Sequence, residues 1–161
     1  MKNQQVNILL DALKNKKLFY EKVYDLTLDQ NILLNDGKSS KFNIEKFEGY
    51  MQSKETYINK INDYDEGFNA FYDNVKEELH LNMQTYSEEI REMQGLIKDL
   101  TELSVRIQNL EMKNKQLLDA TLIKERKEIS NFRKSQNTIS AYDKVMKKVI
   151  PNQSFFLDRK K

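Results

Sequence analysis

The residues best equipped for chemistry in this chain are few, and their types exclude most reactions. His80 is the only histidine, so a multi-histidine metal site is ruled out and a catalytic triad has no partner acid at a telling spacing. There is no cysteine, which removes thiolate catalysis, thiolate metal ligation and a disulfide framework. The stretch NDYDEG at 62–67 has a glycine in the sixth position, as a calcium loop would. That frame puts Tyr64 where an oxygen ligand is required and Asp73 at the final ligand, and it is rejected on that ground. Gly37, Gly49, Gly67 and Gly95 are isolated, so no phosphate cradle is present. The many carboxylates fall on polar helical faces, where solvation is their ordinary role. The chain reads as a non-enzyme that uses no cofactor and no metal.

The elements that carry these residues are helices. With four glycines and one proline in 161 residues, the chain has almost no turn chemistry for strands. Its 39% apolar and 32% charged residues suit long, partly exposed helices better than a thick core. The expected fold is all-α, an antiparallel, coiled-coil-like bundle of three long helices with an amphipathic C-terminal extension, forming one domain over 1–161. Val6, Leu10, Leu13, Tyr20, Tyr24, Leu28 and Leu34 share a helical face and predict helix one over 1–34. NDGKSSK then offers Gly37 for a helix end and serines for the next cap. Ile44, Phe47, Met51, Ile58, Ile61, Phe68, Val75 and Leu79, with Phe71 or Tyr72, predict helix two over 43–80, followed by a kink or short turn near Leu79–Asn82. Eleven of the sixteen aromatics lie between Phe19 and Tyr72, which predicts an aromatic-rich seam between these two helices.

Helix three is predicted over 83–148. Met93, Leu96, Leu100, Leu103, Ile107, Leu110, Asn114 and Leu117 alternate in threes and fours, a coiled-coil seam with Asn114 as its polar member. Beyond it the stripe moves by one residue to Leu118, Leu122, Ile129, Phe132, Ile139, Tyr142 and Met146. Such a shift turns the apolar face, and leaves open whether the helix runs straight through Leu118 or bends there. An unbroken helix would be on the order of 100 Å long, against about 50 Å for the other two, so its C-terminal part is expected to lack a cover inside the chain.

Charge separates the same region. Residues 1–122 carry 16 Lys and Arg against 21 Asp and Glu, a net of −5, whereas residues 123–161 carry 11 against 4, a net of +7. Phosphate binding is weighed against Glu125, Glu128, Asp143 and Asp158, which interrupt the basic surface, and no reading motif is present. The stripe is thin for a membrane-surface helix, and no stretch reaches the roughly 20 apolar residues of a span. The N-terminal MKNQQVNILLDALKNKK has its apolar run broken by Asn7 and Asp11 and reads as a helix start, so a cytoplasmic protein is expected. The tail at 149–161 holds Pro151, then Phe155, Phe156 and Leu157 beside the final charges. Apolar clusters in a tail either dock on their own protein or await a partner.

The run LTELSVRIQNLEMKNKQLLDATLIKERKEISNFRKS, followed by AYDK and SFFLDRKK, resembles flagellar export chaperones of the FlgN type from Gram-positive bacteria. The likeness covers about Leu96 to Lys161, while residues 1–82 agree only in length and helicity. It implies a bundle of long antiparallel helices whose C-terminal region binds the helical terminal segments of hook-filament junction (hook-associated) proteins. Such binding prevents premature assembly and delivers the cargo to the export gate. The expected partner-binding residues are Ile129, Phe132, Ile139, Tyr142, Met146, Val149, Phe155 and Phe156, with Tyr142 a contact for either cargo or gate. No nucleic acid or stable membrane insertion is expected, and the chain should be a monomer or weak homodimer. The competing class is a homo-oligomeric structural coiled coil whose seam from Met93 to Leu117 pairs between copies.

Overall fold

A computed structural model describes residues 4–36 and 42–125, together with residues 137, 138, 140, 141 and 144. Three helices, α1 (Gln4–Asn35), α2 (Ile44–Leu81) and α3 (Ser87–Glu125), pack against one another in an all-α bundle. The spacing of the buried side chains shows why these segments are helical. Along α1 they run Val6, Leu9, Leu13, Lys16, Tyr20, Val23, Thr27, Gln30 and Leu34, at intervals alternating between three and four. Along α2 the same alternation takes in Phe47, Met51, Lys54, Ile58 and Ile61, then half-buried Asp65 and Phe68, then Tyr72, Val75 and Leu79. This spacing keeps one stripe of a helix facing its neighbours over many turns.

The buried series of α3 corrects the seam expected from sequence. Met93, Leu100, Ile107 and Asn114 lie on it, but the alternate places belong to Ile97, Ser104, Glu111 and Leu118. Leu96, Leu103, Leu110 and Leu117 stand one residue earlier and are only half-buried. Leu118 follows Asn114 by four, in step with the rest, so the phase shift inferred at Leu117 vanishes and α3 stays helical through it to Glu125. The leucines had suggested the wrong flank because two true core places hold polar residues.

Side-chain pairs between the helices fix how they align. Lys16, Thr27 and Gln30 of α1 meet Asp65, Lys54 and the Phe47 carbonyl of α2, so partner numbers fall as α1 ascends. Lys14, Lys17, Thr27 and Asn31 meet Glu92, Asp99, Glu111 and Asn114 of α3, so there they rise. The backbone of α1 approaches both other helices. Among the described residues no Cα of α2 comes within 8 Å of one of α3, so those two meet through side chains. A long apolar cluster extends from Val6 to Ile107, and a shorter one joins Leu34, Phe47, Met51 and Leu118.

Local chemistry sets the ends. Asn43 caps α2, its side-chain oxygen accepting from the Lys46 amide at 3.0 Å, where serines had been expected; Gly37 and those serines lie outside the described residues. Between α2 and α3 the chain turns at Asn82–Tyr86, and the buried Tyr86 hydroxyl donates to the Glu78 carboxylate at 2.9 Å. Glu88 and Glu89 in the first turn of α3 complement its dipole. Phe19 of α1 packs on Tyr57 and Tyr64 of α2 with ring centroids 5.9 and 5.5 Å apart, so aromatics do line the contact between the first two helices.

Gly95 lies inside α3 with nothing within 4 Å of where a Cβ would stand. Gly95→Ala removes the entropy cost of a mid-helix glycine, and should raise stability by about 0.5–1 kcal/mol. The check is a urea titration at unchanged slope; a lower midpoint would refute it.

Candidate functional site

Two features stand out within the bundle: a buried polar layer that spans all three helices, and an apolar groove between α1 and α2. The layer separates the two apolar clusters. Lys54 of α2, fully buried, pairs with Glu111 of α3, which is 3% exposed. Thr27 of α1 lies 2.9 Å from the same carboxylate oxygen, and its single hydroxyl proton is shared between Glu111 and the Val23 carbonyl 2.6 Å away. Lys54 Nζ also reaches Thr27 Oγ1 at 3.4 Å.

One turn along, Asn114 Nδ2 donates to the Thr27 carbonyl at 2.9 Å, and Asn31 Nδ2 donates to Asn114 Oδ1 at 2.9 Å. Gln30 Nε2 donates to the Phe47 carbonyl at 3.3 Å. All of these groups except the half-buried Asn31 occupy places that the helical spacing assigns to the interior. Polar residue types are mostly exposed in proteins, and that is why composition and pattern alone pass them over.

Burial dominates the electrostatics of the pair. It pulls the Lys54 ammonium below its ordinary range and pushes the Glu111 carboxyl above its own, while the mutual charge and hydrogen bond oppose both shifts. Desolvation therefore exceeds the attraction in each case. Glu111 Oε2 and Gln30 Oε1 are buried with no hydrogen-bond partner among the described residues, and such atoms cost about 1–3 kcal/mol each. The layer is a costly way to hold three helices together and a selective one, since only one alignment brings the charges into register.

The groove lies nearer the other end of the bundle. It has a volume of about 360 Å³ and is lined from α1 by Ile8, Leu9, Asp11, Ala12 and Asn15, and from α2 by Asp63, Tyr64, Gly67, Phe68 and Phe71. Its walls are mainly apolar, with two exposed carboxylates, Asp11 and Asp63, at its edge. Gly67 leaves it open, because a Cβ there would meet nothing within 4 Å. The NDYDEG stretch thus lies within α2, where Asp65 pairs with Lys16 and Asp63, Tyr64 and Gly67 face the groove. His80 is exposed in the last turn of α2.

The residues expected to bind a partner, Ile129, Phe132, Ile139, Tyr142, Met146, Val149, Phe155 and Phe156, all lie outside the described residues. Two of their neighbours are placed. Thr138 is buried and its hydroxyl donates to Glu48 of α2 at 2.8 Å, and Ala141 packs against the cluster of Leu34, Phe47 and Leu118. A straight continuation of α3 would carry Thr138 about 40 Å beyond Glu111, whereas Glu48 is only about 9 Å along α2 from Lys54. Thr138 and Ala141 accordingly sit on the end of the bundle, not on an overhang beyond it.

Comparison with known proteins finds no matching family model, no matching curated protein and no matching solved structure. No helix among the described residues is long and apolar enough to cross a membrane.

Removing one member of the buried pair strands the other charge, so Lys54→Met or Glu111→Leu alone should destabilise by about 3–5 kcal/mol. The double variant removes both desolvation costs and leaves Thr27 bonded to the Val23 carbonyl, so its stability should match or exceed the parent's by about 1–4 kcal/mol. Chemical denaturation of the four chains checks this. A double variant clearly less stable than the parent would show that the pair carries net stability, and losses that simply add would show that the two residues are not coupled.

Proposed function

We propose that this chain is a cytoplasmic binding protein of the flagellar export chaperone type, an antiparallel, coiled-coil-like bundle that holds helical terminal segments of junction proteins until export. The observation that carries this reading is how the interior is used. The heptad-spaced positions of all three helices, Asn114 included, are occupied within one chain, so they are not open to a cargo helix. The reading assigns cargo to the basic, amphipathic stretch after Glu125, part of which, Thr138 and Ala141, rests on the end of the bundle. That stretch falls within the likeness to the FlgN-type chaperones, which runs from about Leu96 to Lys161.

The energetics are compatible with reversible capture. Burying four to six of the apolar residues Ile129, Phe132, Ile139, Tyr142, Met146 and Val149 contributes about 6–15 kcal/mol gross. Ordering and association costs then bring the net to roughly micromolar or somewhat tighter affinity. An apolar face of a cargo helix covered in this way is withheld from assembly.

A second reading, a homo-oligomeric structural coiled coil, draws on Leu96, Leu103, Leu110 and Leu117. They recur every seventh residue and remain half-buried on α3, with Val105 and Met112 exposed nearby. A seam from Met93 to Leu117 that pairs between copies would place Asn114 between them. Asn114 is instead wholly buried against Thr27 and Asn31 of the same chain.

Calorimetric titration with purified hook-filament junction proteins separates the two. The full chain should bind at about one to one, and replacing two stripe residues together, Phe132→Asp with Ile139→Asp, should weaken binding by about 100-fold or more. Light scattering should give a monomer or weak dimer. A stable oligomer that binds no junction protein would favour the structural reading.

A further inference from the structure

The groove between α1 and α2 has features that match one segment of this same chain. Its volume admits large side chains but not a helix, whose diameter is about 10–12 Å. The aromatic walls supplied by Tyr64, Phe68 and Phe71 suit other aromatic rings, and the gap at Gly67 gives them room. Asp11 and Asp63 at the edge favour a cation beside those rings. In the sequence, Phe155, Phe156 and Leu157 are followed by Asp158 and then by Arg159, Lys160 and Lys161, a net of +2 over these four residues. Paired aromatics with basic residues three to six places on meet both demands.

The reach is sufficient. Thr138 is fixed beside Glu48, and Gly67 lies 19 residues further along α2, about 28 Å at the helical rise. From Lys144 to Phe155 the chain has 11 residues, which span up to about 36–40 Å when extended. Even a Lys144 displaced about 9 Å away from the groove leaves the aromatics within range. Pro151 between them prevents a continuous helix from holding the tail off.

We infer that Phe155 and Phe156 of the C-terminal tail dock into the groove between α1 and α2 of their own chain, with Arg159, Lys160 and Lys161 facing Asp11 and Asp63. The docking closes the chain on itself and covers an apolar surface that would otherwise face water. It does not depend on the identity of any cargo, so it can fail while the chaperone reading stands, and the reverse.

The chain contains no tryptophan, so Phe156→Trp in the full-length protein supplies a single reporter. Its emission should be blue-shifted relative to the same protein in urea, and the shift should not vary with protein concentration. Adding Gly67→Leu, which fills the groove, should return the emission to that of a solvent-exposed indole while the helical circular dichroism is kept. The exposed pair Asp11→Lys with Asp63→Lys should move it in the same direction without touching the core, and decides the matter if Gly67→Leu does not fold. Solvent-like emission in the parent reporter would overturn the proposal. So would a blue shift that neither set of changes alters, or one that grows with concentration, which would indicate docking on a second copy.

Discussion

The structure turns on the contact between Lys54 and Glu111, with Thr27 against the same carboxylate. Three helices patterned in threes and fours can slide by a whole heptad and still bury apolar side chains, because Leu, Ile and Val are nearly interchangeable between layers. A buried ammonium and carboxylate are not interchangeable with anything. Any other alignment leaves two unpaired charges in the interior, an outcome several kcal/mol worse than the native one. On this account the layer contributes by excluding alternatives more than by adding stability. Lys16 with Asp65 repeats the device between α1 and α2, eleven residues earlier along α1.

The other features follow from that register. With Thr27 facing Lys54 and Glu111, Leu34 meets Phe47 and Leu118 at one end, and at the other Ile8 and Ala12 are set opposite Gly67 and Phe71, where the groove opens. The first of these ends also receives Thr138 and Ala141. A heptad slip would move the groove walls by about 10 Å relative to each other and abolish it. The polar layer adjoins the first of these ends, where Gln30 donates to the Phe47 carbonyl, and lies further from the groove, yet the same helix register sets both.

Much of the architecture was legible in the sequence. Val6, Leu13 and Tyr20, then Phe47, Met51, Ile58 and Ile61, carry the helical period in apolar side chains, and scarcity of Gly and Pro left little else for the chain to form. The seam of α3 was half legible: Met93, Leu100, Ile107 and Asn114 were visible, while Ser104 and Glu111 were hidden behind Leu103 and Leu110. Lys16, Thr27, Gln30 and Lys54 were missed for the same reason, since a hydrophobicity pattern has no means of marking a polar residue whose partner comes from another helix. The signal was present in position alone, because each of the four falls on the three-four series of its own helix. The groove could not be read either, as it depends on the pairing of two helices and on a glycine that looked incidental.

The central claim is that the buried charge layer selects one alignment of the helices. It is tested most directly by the distance between two spin labels, placed at Lys22→Cys on α1 and Lys113→Cys on α3, both exposed positions in a chain with no native cysteine. With Lys54 and Glu111 in place, pulsed electron resonance should give one narrow distance distribution. With both replaced by apolar residues, it should give a broadened or multiple distribution from slipped registers, even where stability has risen. An unchanged single distance in the apolar variant would contradict the account and assign the register to packing alone.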